Sequence, residues 1–139
     1  MQRDLESLVR KLNRRVNIHW LEEMRLGKPA YDYLVERVRA RTLKRHQMAN
    51  AFHALFRLRD HGSEHDVFAL LRAHTSDDEI RVRTEAVRLL IGMMRVHNLQ
   101  APFQPSTCIS EIKAALALGL EHDVASLAKD FVAQYGTTA

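Results

Sequence analysis

Residues 80–96 read IRVRTEAVRLLIGMMRV, and their apolar side chains recur every three or four positions. This spacing places the apolar residues on one face of an α-helix, the longest helix that the sequence predicts. Other segments have the same period, and none alternates polar and apolar residues over the length of a strand. With only five glycines and three prolines in 139 residues, the composition also disfavours a turn-rich sandwich or barrel. We therefore expect one all-α domain over residues 1–139.

Glycine and proline residues separate the predicted helices, as helix-ending and helix-starting residues do. Gly27 and Pro29, Gly62, and the segment 102–105 fall between apolar-periodic stretches. Ser63 and the acidic residues after it have the pattern of a capping box, which indicates that a helix begins there. The sequence predicts about seven helices, arranged as an N-terminal helical region over 1–26 and three antiparallel hairpins over 28–60, 63–97 and 105–135.

One hairpin resembles a known repeat. Val67, Leu70 and Leu71 precede a turn that contains Asp77, and Val82-Arg83 and Ala86 follow on the next helix. This pattern resembles one unit of the HEAT and armadillo family of α-solenoids, although a tetratricopeptide-like register is an open alternative. The resemblance implies a short right-handed α-α superhelix, pairing of the turn Asp with the second-helix Arg, often across successive repeats, and close helix packing at Ala86. It implies little about function, because solenoids of this kind bind proteins or nucleic acids and rarely act on substrates.

The charge of the chain is unevenly distributed. Residues 1–60 contain 14 Lys or Arg and seven Asp or Glu, whereas residues 61–139 contain seven and ten. Sixteen of the 21 cationic residues are arginine, and arginine binds phosphate and carboxylate groups through two parallel hydrogen bonds. The basic first half therefore predicts an anionic partner.

The densest basic segment is residues 37–46, which lie at a predicted helix–helix corner and contain no acidic residue. The candidate anion-binding residues are Arg37, Arg41, Lys44 and Arg45 in this segment, Arg10 and Arg14 on the first helix, and Arg81 and Arg88 on the longest helix. The alternative for the corner is a solvated set of cations that complements a helix C-terminus. For Arg81 and Arg88, the alternative is a salt-bridged helix face with Glu85.

Two further patterns bear on the type of partner. Base stacking is not evident, because the aromatic residues fall on predicted core faces, among them Tyr33, Phe52, Phe56 and Phe131. An apolar stripe on the first helix is a candidate protein interface or dimer contact, formed by Leu5, Val9, Leu12 and Trp20. The alternative is that this stripe closes the end of the helical array.

The residues needed for common catalytic and metal sites are missing or badly placed. A lone cysteine, Cys108, excludes a disulfide within the chain and a multi-cysteine metal site, and we expect it to be a buried thiol. His61 and His65 are four residues apart, but Gly62 and Ser63 separate them, so they need not share a helix face. No Gly-rich phosphate loop or nucleophile elbow is present. We expect no catalytic residue, no cofactor and no metal.

These patterns predict a non-enzymatic helical-repeat module that binds another protein, as an adaptor, an inhibitor or a subunit of a larger complex. The alternative is a nucleic-acid-associated subunit that contacts phosphates through its Arg-rich N-terminal half. A homo-oligomer could form through the N-terminal helix. The charged N-terminus and the lack of an apolar run of about 20 residues predict a cytoplasmic protein without a membrane partner.

Overall fold

The computed structural model describes residues 1–12 and 25–136. These residues form seven α-helices and two short 3₁₀ helices and contain no strand, which confirms the predicted all-α fold. The α-helices are α1 (Gln2–Lys11), α2 (Lys28–Arg39), α3 (Arg45–Arg57), α4 (Glu64–Ala73), α5 (Ile80–Val96), α6 (Ile109–Leu118) and α7 (His122–Tyr135). The 3₁₀ helices are Arg59–His61 and Pro105–Thr107. None of the helices in these ranges has the length and apolar character needed to cross a membrane.

The chain divides into two compact units, Met1–Val67 and Phe68–Ala139, and the boundary falls within α4. In the first unit, α1, α2 and α3 pack on one another. Their core residues recur at the helical spacing seen in the sequence, and Leu8, Leu34 and Phe52 are fully buried. Burial of each such side chain contributes about 1.5–3 kcal/mol, so this apolar face holds the three helices together.

Two amide side chains of α3 satisfy the C-terminal end of α1. The Nε2 group of Gln47 donates a hydrogen bond to the carbonyl of Val9 over 3.2 Å, and the Nδ2 group of Asn50 donates to the carbonyl of Leu12. Carbonyls in the last turn of a helix have no partner within the helix. These bonds therefore fix the end of α1 against α3.

The start of α4 is joined to α2 through Tyr31. Its hydroxyl donates to the carbonyl of Ser63 over 2.7 Å and accepts from the Ser63 N–H over 3.0 Å. The Tyr31 ring lies so close to Gly62 that a Cβ atom at position 62 would stand 2.1 Å from Tyr31 Cε1. Only glycine at position 62 permits this approach.

In the second unit, α6 and α7 form a hairpin, and α5 packs against both. Arg83 on α5 is 8% exposed and binds main-chain oxygens at two turns. It donates to Gly119 and Leu118 over 2.6 and 3.1 Å, and to Asp77 and Asp78 over 3.2 and 3.1 Å. These bonds satisfy the end of α6 and the turn before α5 at once.

Arg83 contacts Asp77 at the main-chain oxygen of that residue. The Asp77 carboxylate accepts a hydrogen bond from the N–H of Glu79 over 3.0 Å. Its other oxygen lies 3.3 Å from Nδ1 of His74. Ala86 is fully buried, as close helix packing at that position requires.

Candidate functional site

The charge asymmetry follows the division into two units. Met1–Val67 contains 14 Lys or Arg and nine Asp or Glu, a net charge of +5, whereas Phe68–Ala139 contains seven and eight, a net charge of −1. Long-range attraction of an anion depends on such local excess of positive charge rather than on the total. The first unit therefore has the excess of positive charge that attracts an anion.

The main feature of that unit is a cluster that we call the basic corner. It comprises Arg37, Arg39, Arg41, Lys44 and Arg45, which lie at the end of α2, in the connection and at the start of α3. Arg37 is half-buried and the other four side chains are exposed. No acidic residue lies in the segment 37–46, so the five cations repel one another, and a bound anion would reduce that repulsion.

Helix dipoles stabilise some cations of the basic corner and destabilise others. Cations in the last turn of a helix are favourable, which accounts for Arg37 and Arg39 at the end of α2. Cations at the start of a helix are unfavourable for the same reason, yet Lys44 is the N-cap residue of α3 and Arg45 is its first residue. The first turn of α3 contains no acidic residue. The dipole of α3 therefore disfavours the positions of Lys44 and Arg45, and an anion bound beside them would offset that cost.

Arg41 occupies a backbone conformation that favours glycine. Its φ is 56°, its N–H bonds to the carbonyl of Val38 over 3.1 Å, and the N–H of Thr42 bonds to the carbonyl of Arg37 over 3.4 Å. This hydrogen-bond pattern is the Schellman motif, in which glycine is the usual residue at the left-handed position. The left-handed conformation costs a residue with a Cβ roughly 1–2 kcal/mol. An exposed arginine stands there instead, in the middle of the basic corner.

A pocket of about 410 Å³ lies between α1 and α2, beside the basic corner. Its polar lining is Gln2, Glu6 and Arg10 from α1 and Tyr33, Glu36 and Arg37 from α2. The structure thus brings together Arg10 and Arg37, which the sequence could name but not place side by side. The guanidinium carbon of Arg37 stands 5.7 Å from the centre of the Tyr33 ring, within the range of a cation–π contact.

The placement of Tyr33 corrects a sequence-based expectation. Tyr33 and Phe56 were expected on core faces, but both are half-buried, and an arginine covers each ring. Phe52 and Phe131 are fully buried, as expected. The reason is that Tyr31, Leu34, Val35 and Val38 already fill the buried face of α2. Tyr33 therefore falls beside that face, and an aromatic ring adjoins the basic corner after all.

The candidate arginines of the second unit bind carboxylates within the unit. Arg81 lies 3.6 Å from Glu121, and Arg88 lies 2.9 Å from Glu85 and 2.8 Å from Asp123. Burial alone lowers the pKa of Arg88, but the hydrogen bonds to the two carboxylates outweigh burial and raise it. Arg88 thus pairs with Glu85, as in the alternative given above, whereas the partner of Arg81 is Glu121, the N-cap residue of α7.

The candidate interface residues of α1 belong to the core of the first unit. Leu5, Val9 and Leu12 are 7%, 8% and 2% exposed, because α1 packs this stripe against α2 and α3. The stripe therefore offers little surface to another molecule. The other candidates from this part of the sequence, Arg14 and Trp20, lie outside the described residues.

Cys108 has the environment of an unreactive thiol. It is fully buried, and its Sγ lies 3.5 Å from Sδ of Met94. Burial, with a further contribution from Glu111 and against an opposing one from Arg72, raises its pKa to about 12. The thiolate, which is the nucleophilic form, is therefore scarce near neutral pH. Within residues 1–12 and 25–136, no group of three His, Cys, Asp or Glu side chains could hold a metal ion.

No protein-family model, curated protein or solved structure matches the chain. The candidate site therefore has two parts, both defined by this chain's own residues: the basic corner and the adjoining pocket. Sequence reasoning found the cations of the corner and missed Tyr33, Glu6 and Glu36 in the pocket. The sequence did contain a signal for the two residues on α2. Glu36 and Arg37 follow Tyr33 by three and four residues, so both lie on the same helix face as Tyr33.

Proposed function

We propose that the chain is a non-enzymatic binding module whose first unit contacts the phosphates of a nucleic acid through the basic corner. The observation that carries the proposal is the position of Lys44 and Arg45 at the start of α3, where a helix disfavours cations. They adjoin two arginines at the end of α2 and Arg41 in the connection. A row of phosphates would place negative charge beside all five cations and offset both their mutual repulsion and the unfavourable dipole at the start of α3.

The residue types of the corner support phosphate as the anion. Four of its five cations are arginine, whose planar guanidinium can donate two parallel hydrogen bonds to one phosphate. Exposed cations of this kind contribute affinity without reading sequence, since phosphates are the same at every nucleotide. Binding through them releases counterions and therefore weakens steeply as salt rises.

An acidic protein is the second candidate partner, in which case the chain would be an adaptor, an inhibitor or a complex subunit. The same four arginines favour it, because a guanidinium binds a carboxylate with the geometry it uses for phosphate. The apolar stripe of α1 no longer supports this candidate, since Leu5, Val9 and Leu12 are buried. For an acidic protein, the basic corner is therefore the surface that we propose as its binding site.

The test is the salt dependence of binding to labelled single-stranded and duplex oligonucleotides, followed by fluorescence anisotropy. The slope of log K against log salt should fall by about 2 in the triple variant Arg41→Gln, Lys44→Gln, Arg45→Gln, because each lost phosphate contact removes roughly 0.7–0.9 from it. The control is Arg95→Gln, Lys113→Gln, Lys129→Gln, which removes the same charge from the second unit and should leave the slope unchanged.

Two results would count against a nucleic acid. The first is an unchanged slope in the corner variant. The second is no oligonucleotide binding by the wild-type chain near about 100 mM salt, where phosphate contacts of this number still hold a complex together. Binding to polyglutamate in place of either oligonucleotide would favour the acidic protein instead.

A further inference from the structure

The pocket beside the basic corner is lined differently from a phosphate site. Glu6 and Glu36 stand in it together with Arg10 and Arg37, and the two carboxylates would repel a phosphate. Its volume of about 410 Å³ lies within the range of roughly 300–1,000 Å³ that small-molecule sites have. A lining with both donors and acceptors suits a polar, uncharged ring rather than an ion.

Each helix contributes one carboxylate and one guanidinium to the pocket. Glu6 and Arg10 are four residues apart on α1, and Glu36 and Arg37 share a face of α2 with Tyr33. A flat ligand that rests on Tyr33 therefore has hydrogen-bond donors and acceptors within reach of its edges. This is the combination with which proteins hold the unpaired bases of single strands: an aromatic or arginine plane for stacking, and polar groups for the base edge.

Arg37 joins the pocket to the basic corner. Its guanidinium lies over the Tyr33 ring, with 5.7 Å from the guanidinium carbon to the ring centre. Its Nε is buried and has no hydrogen-bond partner, although buried polar groups in proteins are almost always paired. A ligand acceptor that reaches this group would pair it. The backbone of a strand on the corner would also bring its next base to the pocket.

We propose that this pocket holds an unpaired guanine of the strand whose phosphates lie on the basic corner. The inference rests on the proposed function. Guanine offers O6 and N7 as acceptors, the pair that arginine binds most often. Its N1–H and N2–H groups are adjacent donors that match the two oxygens of one carboxylate, and no other common base presents such a pair. Glu36, beside Tyr33 and Arg37 on α2, is the carboxylate that binds them.

The test compares RNA oligouridylates of about eight nucleotides, a length that one small module contacts. Each contains one central guanosine, inosine or adenosine, and dissociation constants are measured by fluorescence anisotropy at one salt concentration. Inosine differs from guanosine only by the missing N2 amino group. The guanosine strand should bind about tenfold more tightly than the other two, the discrimination that one good bidentate contact gives.

Two substitutions assign the preference to the pocket. Glu36→Gln should bring the ratio of the inosine to the guanosine dissociation constant close to one. The guanosine strand weakens because it loses its contact to the carboxylate, while removal of a negative charge slightly strengthens the inosine and adenosine strands. Asp32→Asn is the matched control, since it makes the same charge change one turn earlier on α2, outside the pocket. It should keep the ratio.

A third substitution tests whether the Tyr33 ring stacks on an unpaired base, since it changes the ring and leaves the net charge unchanged. Tyr33→Leu should weaken binding of single strands about tenfold, within the range measured for loss of one stacked base. It should leave duplex binding unchanged, because paired bases are not available to the pocket. Tyr33→Phe keeps the ring and should restore single-strand binding.

The outcomes separate this inference from the proposed function. Equal affinity for the three strands, or a guanosine preference that survives Glu36→Gln, overturns the guanine pocket even when salt-dependent binding through the corner is intact. Failure of every oligonucleotide to bind overturns the proposed function itself. Guanosine monophosphate that competes as well as the full strand would make the ligand a free nucleotide and overturn the claim of a strand.

Discussion

Arg41→Gly should stabilise the chain and weaken its binding to oligonucleotides, two effects of opposite sign from one substitution. Arg41 holds the left-handed position of a Schellman motif with a φ of 56°, where glycine has no steric penalty. The same substitution removes one exposed guanidinium from the basic corner. A residue kept only for stability would not be arginine at this position.

The size of the stability effect follows from two opposing contributions. Relief of the left-handed conformation is worth roughly 1–2 kcal/mol. Glycine also gives the unfolded chain more freedom, which offsets roughly 0.5–1 kcal/mol. The net gain is about 0.5–1 kcal/mol, or a rise of about 2–4 °C in Tm for a chain of this length. Less repulsion among the remaining cations of the corner adds to the gain at low salt.

The assay is thermal and urea unfolding followed by circular dichroism, with oligonucleotide binding measured on the same samples. Arg41→Ala is the matched control, because it removes the charge and keeps the Cβ. It should lose as much affinity as Arg41→Gly and be about 1 kcal/mol less stable than that variant. Equal stability of the two variants would refute the strain at this position. Unchanged oligonucleotide binding by both would refute the functional reason for the arginine.

Three further predictions concern the framework of the two units. Gly62→Ala should destabilise the chain by about 2 kcal/mol or more, since its Cβ would overlap the Tyr31 ring; a loss under about 0.5 kcal/mol in urea unfolding would contradict this contact. Arg83→Met should lower the free energy of unfolding by about 3 kcal/mol, because it leaves four main-chain oxygens without their buried donor. Asp77→Leu removes a carboxylate at the same turn but keeps these oxygens paired, so it should lower the free energy of unfolding by less. Cys108 should resist a thiol reagent in the folded chain and react in urea. Because burial raises its pKa from 9.0 to about 12, its contribution to stability is complete below pH 9.0 and is lost as pH rises toward 12; Cys108→Ala should flatten that decline.

The helices could be predicted from local patterns because their causes are local. Apolar spacing predicts the helices, and glycine or proline residues mark the starts of α2 and α4 and the connections on either side of α6. Ser63 caps α4 by accepting a hydrogen bond from the N–H of Asp66 over 3.1 Å. The other half of the predicted capping box is missing. The N–H of Ser63 bonds to the hydroxyl of Tyr31, which lies 32 residues earlier. A tertiary contact has replaced a local one, and no local pattern could reveal it.

The candidate site was predictable in part for the same reason. The cations of the corner are consecutive in the sequence, so the cluster was visible at once. The pocket has lining residues from both α1 and α2, so it becomes visible only when the packing of these two helices is known. Tyr33 was misplaced because it lies only two residues from Tyr31, at the margin of a wide apolar stripe where spacing alone does not separate core from surface.

Three features of the first unit that are costly to folding concern cations of one small region. Arg41 is strained, Lys44 and Arg45 oppose the dipole of α3, and the Nε of Arg37 is buried without a partner. In the second unit, Arg83 and Arg88 bind main-chain oxygens and carboxylates. The costs at Lys44, Arg45 and the Nε of Arg37 fall when an anion or a hydrogen-bond acceptor arrives, whereas the backbone strain at Arg41 remains. A ligand that binds the folded state and relieves these costs must stabilise the fold. The same residues therefore determine both the affinity for the ligand and part of the stability of the chain.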